Sequence, residues 1–183
     1  MKLWKMGAVA LAISTLSALL TGATVNASTA TPAATCAVTW GTQTKSAGLL
    51  HTPPLLAVRA GQHTCFDRVV FEYSGLATGY RIGYAADVLT EGRGLSLRPY
   101  TAGTSLLSVV LRNPTSSTAF RHTPGDHVAN VAGFATLRDV VFGGSFEGQT
   151  TFAVGVRTRL PFRVFRLTGP GSHNRIVLDI AHH

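Results

Sequence analysis

The sequence predicts an all-β fold, a β-sandwich of two similar sheets built from an internal duplication. Two observations predict it. Apolar runs are short, rich in Val, Phe, Ile and Tyr, and punctuated by Gly, Pro, Asn and Ser, with almost no helical periodicity. The runs also recur. A four-strand unit in the first half is met again in the second, and two such units make two sheets packed face to face.

In chain order, strands are expected over residues 37–41, 55–60, 67–73, 79–84, 95–99, 105–112, 137–142, 150–159, 161–167 and 174–180. The repeat ties these together. The stretch 68–84, read as a hairpin, resembles 151–165. Val69, Phe71 and Tyr73 align with Phe152, Val154 and Val156, and Tyr80 and Ile82 align with Phe162 and Val164. Upstream, 56–61 matches 138–144. Downstream, each unit ends in a closing strand, 106–112 in the first half and 174–180 in the second. The offset is 83 residues at Val69/Phe152 and 82 at Tyr80/Phe162, then 67 at Val109/Ile176, which places an insertion around 87–104.

The N-terminus reads as a secretory signal over residues 1–27, with Lys2 and Lys5 ahead of an apolar stretch and small residues before Ser28. Residues 28–35 form a small, polar, Pro-containing linker, and one domain follows over 36–183. No transmembrane anchor is expected after signal cleavage. Without Lys2 and Lys5, 14 basic residues stand against 8 acids, a net charge of +6, and Lys45 is the last lysine. A secreted domain of that charge is drawn to anionic wall polymers or membrane surfaces. Cys36 and Cys65 are its only cysteines, and in an oxidising compartment they are expected to form a disulfide.

Three arginines between 157 and 163 are the candidate site. On a strand over 150–159, Phe152, Val154, Val156 and Thr158 share one face. Ala153, Gly155, Arg157 and Arg159 share the other. Arg163 returns beside them, and Glu147 and Gln149 complete the candidate ligand-binding set. Two readings stand. The arginines form a structural network with Glu147, Asp139 or Asp179, or they hold an anion or carboxylate, for which the planar guanidinium fork is suited.

No catalytic residue is expected. Gly143-Gly144-Ser145-Phe146-Glu147 departs from a nucleophile elbow at Glu147, no helix follows the serine, and 143–148 reads as a loop. His122, Asp126 and His127 lie in a Pro/Gly-rich loop without the spacing of a zinc site, so neither metal nor cofactor is expected. Asp67-Arg68 and Arg138-Asp139 read as local ion pairs on the solvent face. Secretion argues against nucleic acid, and nothing in the sequence specifies an oligomeric state.

The stretches 67–84, 107–112, 137–167 and 175–182 resemble the AMIN-like domain of secreted proteins from high-GC Gram-positive bacteria. That family is related to the AMIN domain that precedes the catalytic part of some peptidoglycan amidases. The resemblance runs over roughly 36–182 and is most specific in 137–167. It implies a β-sandwich and a non-catalytic envelope role, with a cell-wall polymer, peptidoglycan, as partner. Only three residues follow Ile180, so targeting of an attached amidase domain is not expected here. The alternative is a secreted carrier that holds a small apolar ligand between its sheets.

Overall fold

The computed structural model describes residues 36–183; the expected signal segment and linker lie outside them. Among the described residues there are nine strands: β1 (Lys45–Ala47), β2 (Leu55–Gln62), β3 (Phe66–Tyr73), β4 (Tyr80–Ala85), β5 (Ser105–Leu111), β6 (Leu137–Phe146), β7 (Gln149–Val156), β8 (Phe162–Thr168) and β9 (Asn174–Ala181). They form two antiparallel sheets. Sheet A has the order β1-β4-β5-β7-β6 and sheet B the order β2-β3-β9-β8.

Alternation decides which residues face inward. Val69, Phe71 and Tyr73 on β3, Phe152, Val154 and Val156 on β7, and Ile176, Leu178 and Ile180 on β9 are fully buried. The two sheets meet through aromatic rings, with Phe71 and Phe152 5.1 Å apart. Each such buried phenylalanine contributes roughly 1.5–3 kcal/mol. These side chains fill the space between the sheets, where a small-ligand carrier needs a cavity.

The duplication is present as a pseudo-two-fold exchange of the sheets. The hairpins β2–β3 and β4–β5 correspond to β6–β7 and β8–β9. Even the irregularities match: β2 bulges between Leu55 and Ala57, and β6 bulges between Leu137 and Asp139, one repeat later. The register corrects one alignment. Val109 lies between Ile82 and Phe152. Leu178 lies between Val164 and Val69, so Val109 corresponds to Leu178 rather than to Ile176. Both closing strands carry apolar residues at alternate positions, and a slip of two residues keeps every side chain on its face.

Four expectations change. The stretches 68–84 and 151–165 are not hairpins, since β3 and β4 lie in different sheets, as do β7 and β8. Each is an arch carrying the chain across the sandwich. The strand expected over 150–159 accordingly ends at Val156, where the Arg157 N–H bonds to the Thr136 carbonyl at 2.9 Å instead of continuing the ladder. Residues 37–41 and 95–99 are not strands. The second holds a bridge between Leu89 and Ser96 and a 3₁₀ turn at Arg98–Tyr100, whose Pro99 has no N–H to give to a sheet. Residues 143–146 extend β6 instead of forming a loop. The connection shrinks to Glu147-Gly148, both at positive φ (49° and 79°), as a two-residue type I′ turn requires.

The Cys36–Cys65 disulfide is present, with a Cα separation of 5.2 Å. It ties residue 36 to the β2–β3 hairpin.

Candidate functional site

The candidate residues separate into three places. Glu147 and Gln149 lie at the β6–β7 turn, and Arg157 lies beyond the other end of β7, roughly 25 Å away along eight strand residues. Arg157 and Arg159 are exposed on the β7–β8 arch rather than on a sheet face. Arg157 donates through Nη2 to the His182 carbonyl at 2.7 Å, and Arg159 lies over the Tyr84 ring at 4.7 Å. Arg163 alone lies on an outer sheet face, where it meets Asp179.

The outer face of sheet A is covered over part of β5, β6 and β7. Residues 87–104 fold over it, and Val88 and Leu97 pack on Leu106, Val141 and Ala153. Polar contacts pin the cover. The Glu91 N–H donates to the Gly143 carbonyl at 2.8 Å, the Thr151 hydroxyl to the Glu91 carboxylate at 2.6 Å, and the Ala102 N–H to Asp139 at 3.0 Å. Gly155 is required here, because a Cβ at that position would stand 1.7 Å from the Ala102 carbonyl oxygen. The side-chain-poor strip at Ala153 and Gly155 is therefore a packing surface for the insertion.

On the outer face of sheet B, Asp179 pairs in register with Arg68 on one side and Arg163 on the other. Arg68 donates through Nε to Oδ1 (2.7 Å) and through Nη2 to Oδ2 (2.9 Å). Arg163 donates through Nε to Oδ2 at 2.9 Å, and its Nη2 stands 2.8 Å from the same oxygen. The Asp179 carboxylate is 0% exposed, while 41% of the Arg163 side chain remains open to solvent. Its hydrogen bond to Asp179 raises the Arg68 pKa above the ordinary arginine value, against a smaller opposing effect of burial.

Aromatic rings flank the clamp. The Arg163 guanidinium lies 4.4 Å from the Trp40 ring, and both guanidiniums lie within 5.5 Å of Phe66 and Phe165. Two outward rows from the clamp, Glu72 bonds to Arg59 and to His173. The Arg175 Nε is buried without a partner among the described residues. The face thus carries four arginines and two acids, with the carboxylate of Asp179 already shared between two cations.

Two of these residues escaped the sequence. Arg68 was read as the partner of Asp67, yet strand alternation sends the two to opposite faces. Asp67 is buried, accepting the N–H groups of Thr136 (2.6 Å) and Leu137 (2.8 Å) and contacting His182 Nε2 at 3.0 Å. Trp40 lies on an irregular segment, and nothing in its neighbourhood signals its place over Arg163. The other local pair also separates: Asp139 meets His127 at 2.8 Å, while Arg138 bonds to the Phe134, Leu137 and Ala135 carbonyls.

The domain is a twofold-repeated sandwich with one sheet face partly covered and the other open and arginine-lined. The AMIN-like domain family matches residues 53–182, and the chain belongs to that family. Such domains are generally non-catalytic, cell-wall-related binding modules. No curated protein matches the chain. The family and the disulfide fit an extracellular or cell-wall location. No helix among the described residues is long and apolar enough to cross a membrane.

Proposed function

We propose that the protein is a secreted, non-catalytic module, released by cleavage of residues 1–27, that binds an anionic wall polymer such as peptidoglycan through the outer face of sheet B. The asymmetry of the two faces carries this reading. The insertion packs over part of one face, at Leu106, Val141 and Ala153, and the other face leaves Arg163 partly open beside Trp40, Phe66 and Phe165. Arginine forks suit the carboxylates of a wall peptide, and aromatic rings suit the apolar faces of sugars. The net charge of +6 without Lys2 and Lys5 draws such a polymer in from a distance.

Co-sedimentation with insoluble peptidoglycan, with cellulose as an uncharged control, tests it. The expected outcome is saturable binding to peptidoglycan alone, weakening as salt rises from 0.05 to 0.5 M, where the screening length shortens several-fold to roughly 4 Å. Phe165→Ala should lower the bound fraction without unfolding the protein. Equal retention by cellulose and peptidoglycan, or no retention by either, contradicts the proposal.

A further inference from the structure

A separate open cleft lies at the edge of sheet A, where the 3₁₀ turn and the β7–β8 arch approach the ends of β4 and β5. It is lined by Tyr84, Arg98, Thr104, Ser105 and Arg159 among others, and no acidic side chain lines it. We propose that this cleft is a binding site for a single phosphoryl group, distinct from the wall-binding face.

Two arginines, Arg98 and Arg159, line this cleft. No carboxylate comes within 4 Å of either guanidinium among the described residues. Asp87, which attracts Arg98 electrostatically, is itself bonded by the Ser96 hydroxyl and by the backbone N–H groups of Val88 and Arg98. Like charges placed together raise the free energy of the empty site, and a bound anion relieves that cost.

Both cations are also held in place. Arg159 lies 4.7 Å over the Tyr84 ring. That ring is fixed because its hydroxyl donates to the Leu160 carbonyl and accepts from the Leu160 N–H, each at 2.8 Å. Arg98 is anchored by Nη2 to the Gly103 carbonyl at 3.1 Å, and its other guanidinium donors have no hydrogen-bond partner among the described residues. Held donors lose little entropy when a ligand arrives.

The donor set favours a tetrahedral oxyanion over a planar carboxylate. Two guanidiniums come from different elements of the fold. The Ser105 hydroxyl adds a donor without a partner among the described residues, whereas the Thr104 hydroxyl is committed to the Arg157 carbonyl.

The test is calorimetric titration of the full secreted chain with inorganic phosphate, glycerol 3-phosphate and acetate. Wild type, Arg98→Ala, Arg159→Ala and Arg121→Ala are compared; Arg121 lies outside the cleft and serves as the charge control. The expected result is saturable binding of both phosphates, weaker acetate binding, roughly tenfold or greater loss in each cleft variant, and no loss in the control. All three arginines are exposed, so thermal melting should be unchanged; if Arg159→Ala fails to fold, Arg159→Lys, which keeps the charge but not the fork, should show an intermediate loss. Co-sedimentation with phosphatidylglycerol vesicles separates the sources. Vesicle binding lost in Arg159→Ala assigns the group to a lipid headgroup, and vesicle binding kept assigns it to a free or polymer-borne phosphate. Absence of saturable phosphate binding, or an equal loss in Arg121→Ala, overturns the inference.

Discussion

Across the outer face of sheet B runs the row Arg68, Asp179, Arg163, and at the equivalent positions of sheet A stand Thr151, Val110 and Arg81. The inward-facing equivalents stayed apolar in both halves: Val69 and Phe152, Ile82 and Val164, Val109 and Leu178. The core constrains one side of every strand, because a polar residue there loses its hydration. The other side is free to diverge. Sheet A gave its outer face to an intramolecular cover, and sheet B kept a charged one.

The largest expected effect tests the hairpins of the two halves. Cys65 precedes β3 where Gly148 precedes β7, and only the first hairpin is stapled. The chain-entropy relation gives about 3.5 kcal/mol for a closed loop of this size. Cys65→Ser should lower the melting temperature by on the order of 10 °C. Two titratable thiols in the native wild-type protein would remove the basis of that expectation.

Next comes the clamp. Asp179→Ala leaves Arg68 and Arg163 facing each other without their carboxylate and should cost about 3 kcal/mol. The equivalent Val110→Ala in sheet A should cost about 1 kcal/mol, since it only trims a half-buried side chain. Chemical denaturation of both variants measures the ratio. Equal losses would mean that the two rows are energetically alike.

The cover is expected to matter somewhat less. Gly155→Ala drives a methyl group into the Ala102 carbonyl and should cost about 2 kcal/mol, with faster hydrogen exchange confined to 87–104. At the equivalent position of sheet B, Glu72→Ala removes a carboxylate that is 16% exposed but paired with the more open Arg59 and His173, and should cost about 1 kcal/mol. Uniform exchange across the domain after Gly155→Ala would show that the cover is not a local element.

The smallest effect has the opposite sign. Tyr73 is fully buried, and its hydroxyl has no partner among the described residues; burial pushes its pKa well above the usual tyrosine value. Val156 fills the equivalent place without a polar atom. Tyr73→Phe should therefore stabilise the protein by about 1 kcal/mol. A destabilised variant would reveal a bonded hydroxyl.

Much of the core was legible because a strand repeats every two residues, so Val69, Phe71 and Tyr73 declare a common face. The duplication was legible for the same reason, and so was its two-residue error, since alternation is blind to a slip of two. What the sequence does not encode locally is where a strand leaves its sheet. Val156 and Arg157 are neighbours in an unbroken pattern, yet the chain turns between them toward the other sheet. Arg157 and Arg159 were thus drawn onto a face they do not share. The clamp was hidden by distance along the chain, as Arg68 meets Asp179 across 111 residues. The insertion could be located from the falling offset, but nothing in its sequence names the face that it covers.

The central claim is that the open face of sheet B, and not sheet A, engages the wall. Arg163 and Arg81 occupy equivalent positions on the two faces, and both reach solvent. Arg163→Gln leaves Arg68 to hold Asp179, and Arg81→Gln removes the same charge from the opposite face. Peptidoglycan co-sedimentation of the two variants, at one salt concentration and with melting temperatures measured alongside, compares the faces directly. Arg163→Gln should bind roughly tenfold more weakly, and Arg81→Gln should bind as wild type does. Equal losses in both, or a loss only in Arg81→Gln, would contradict it.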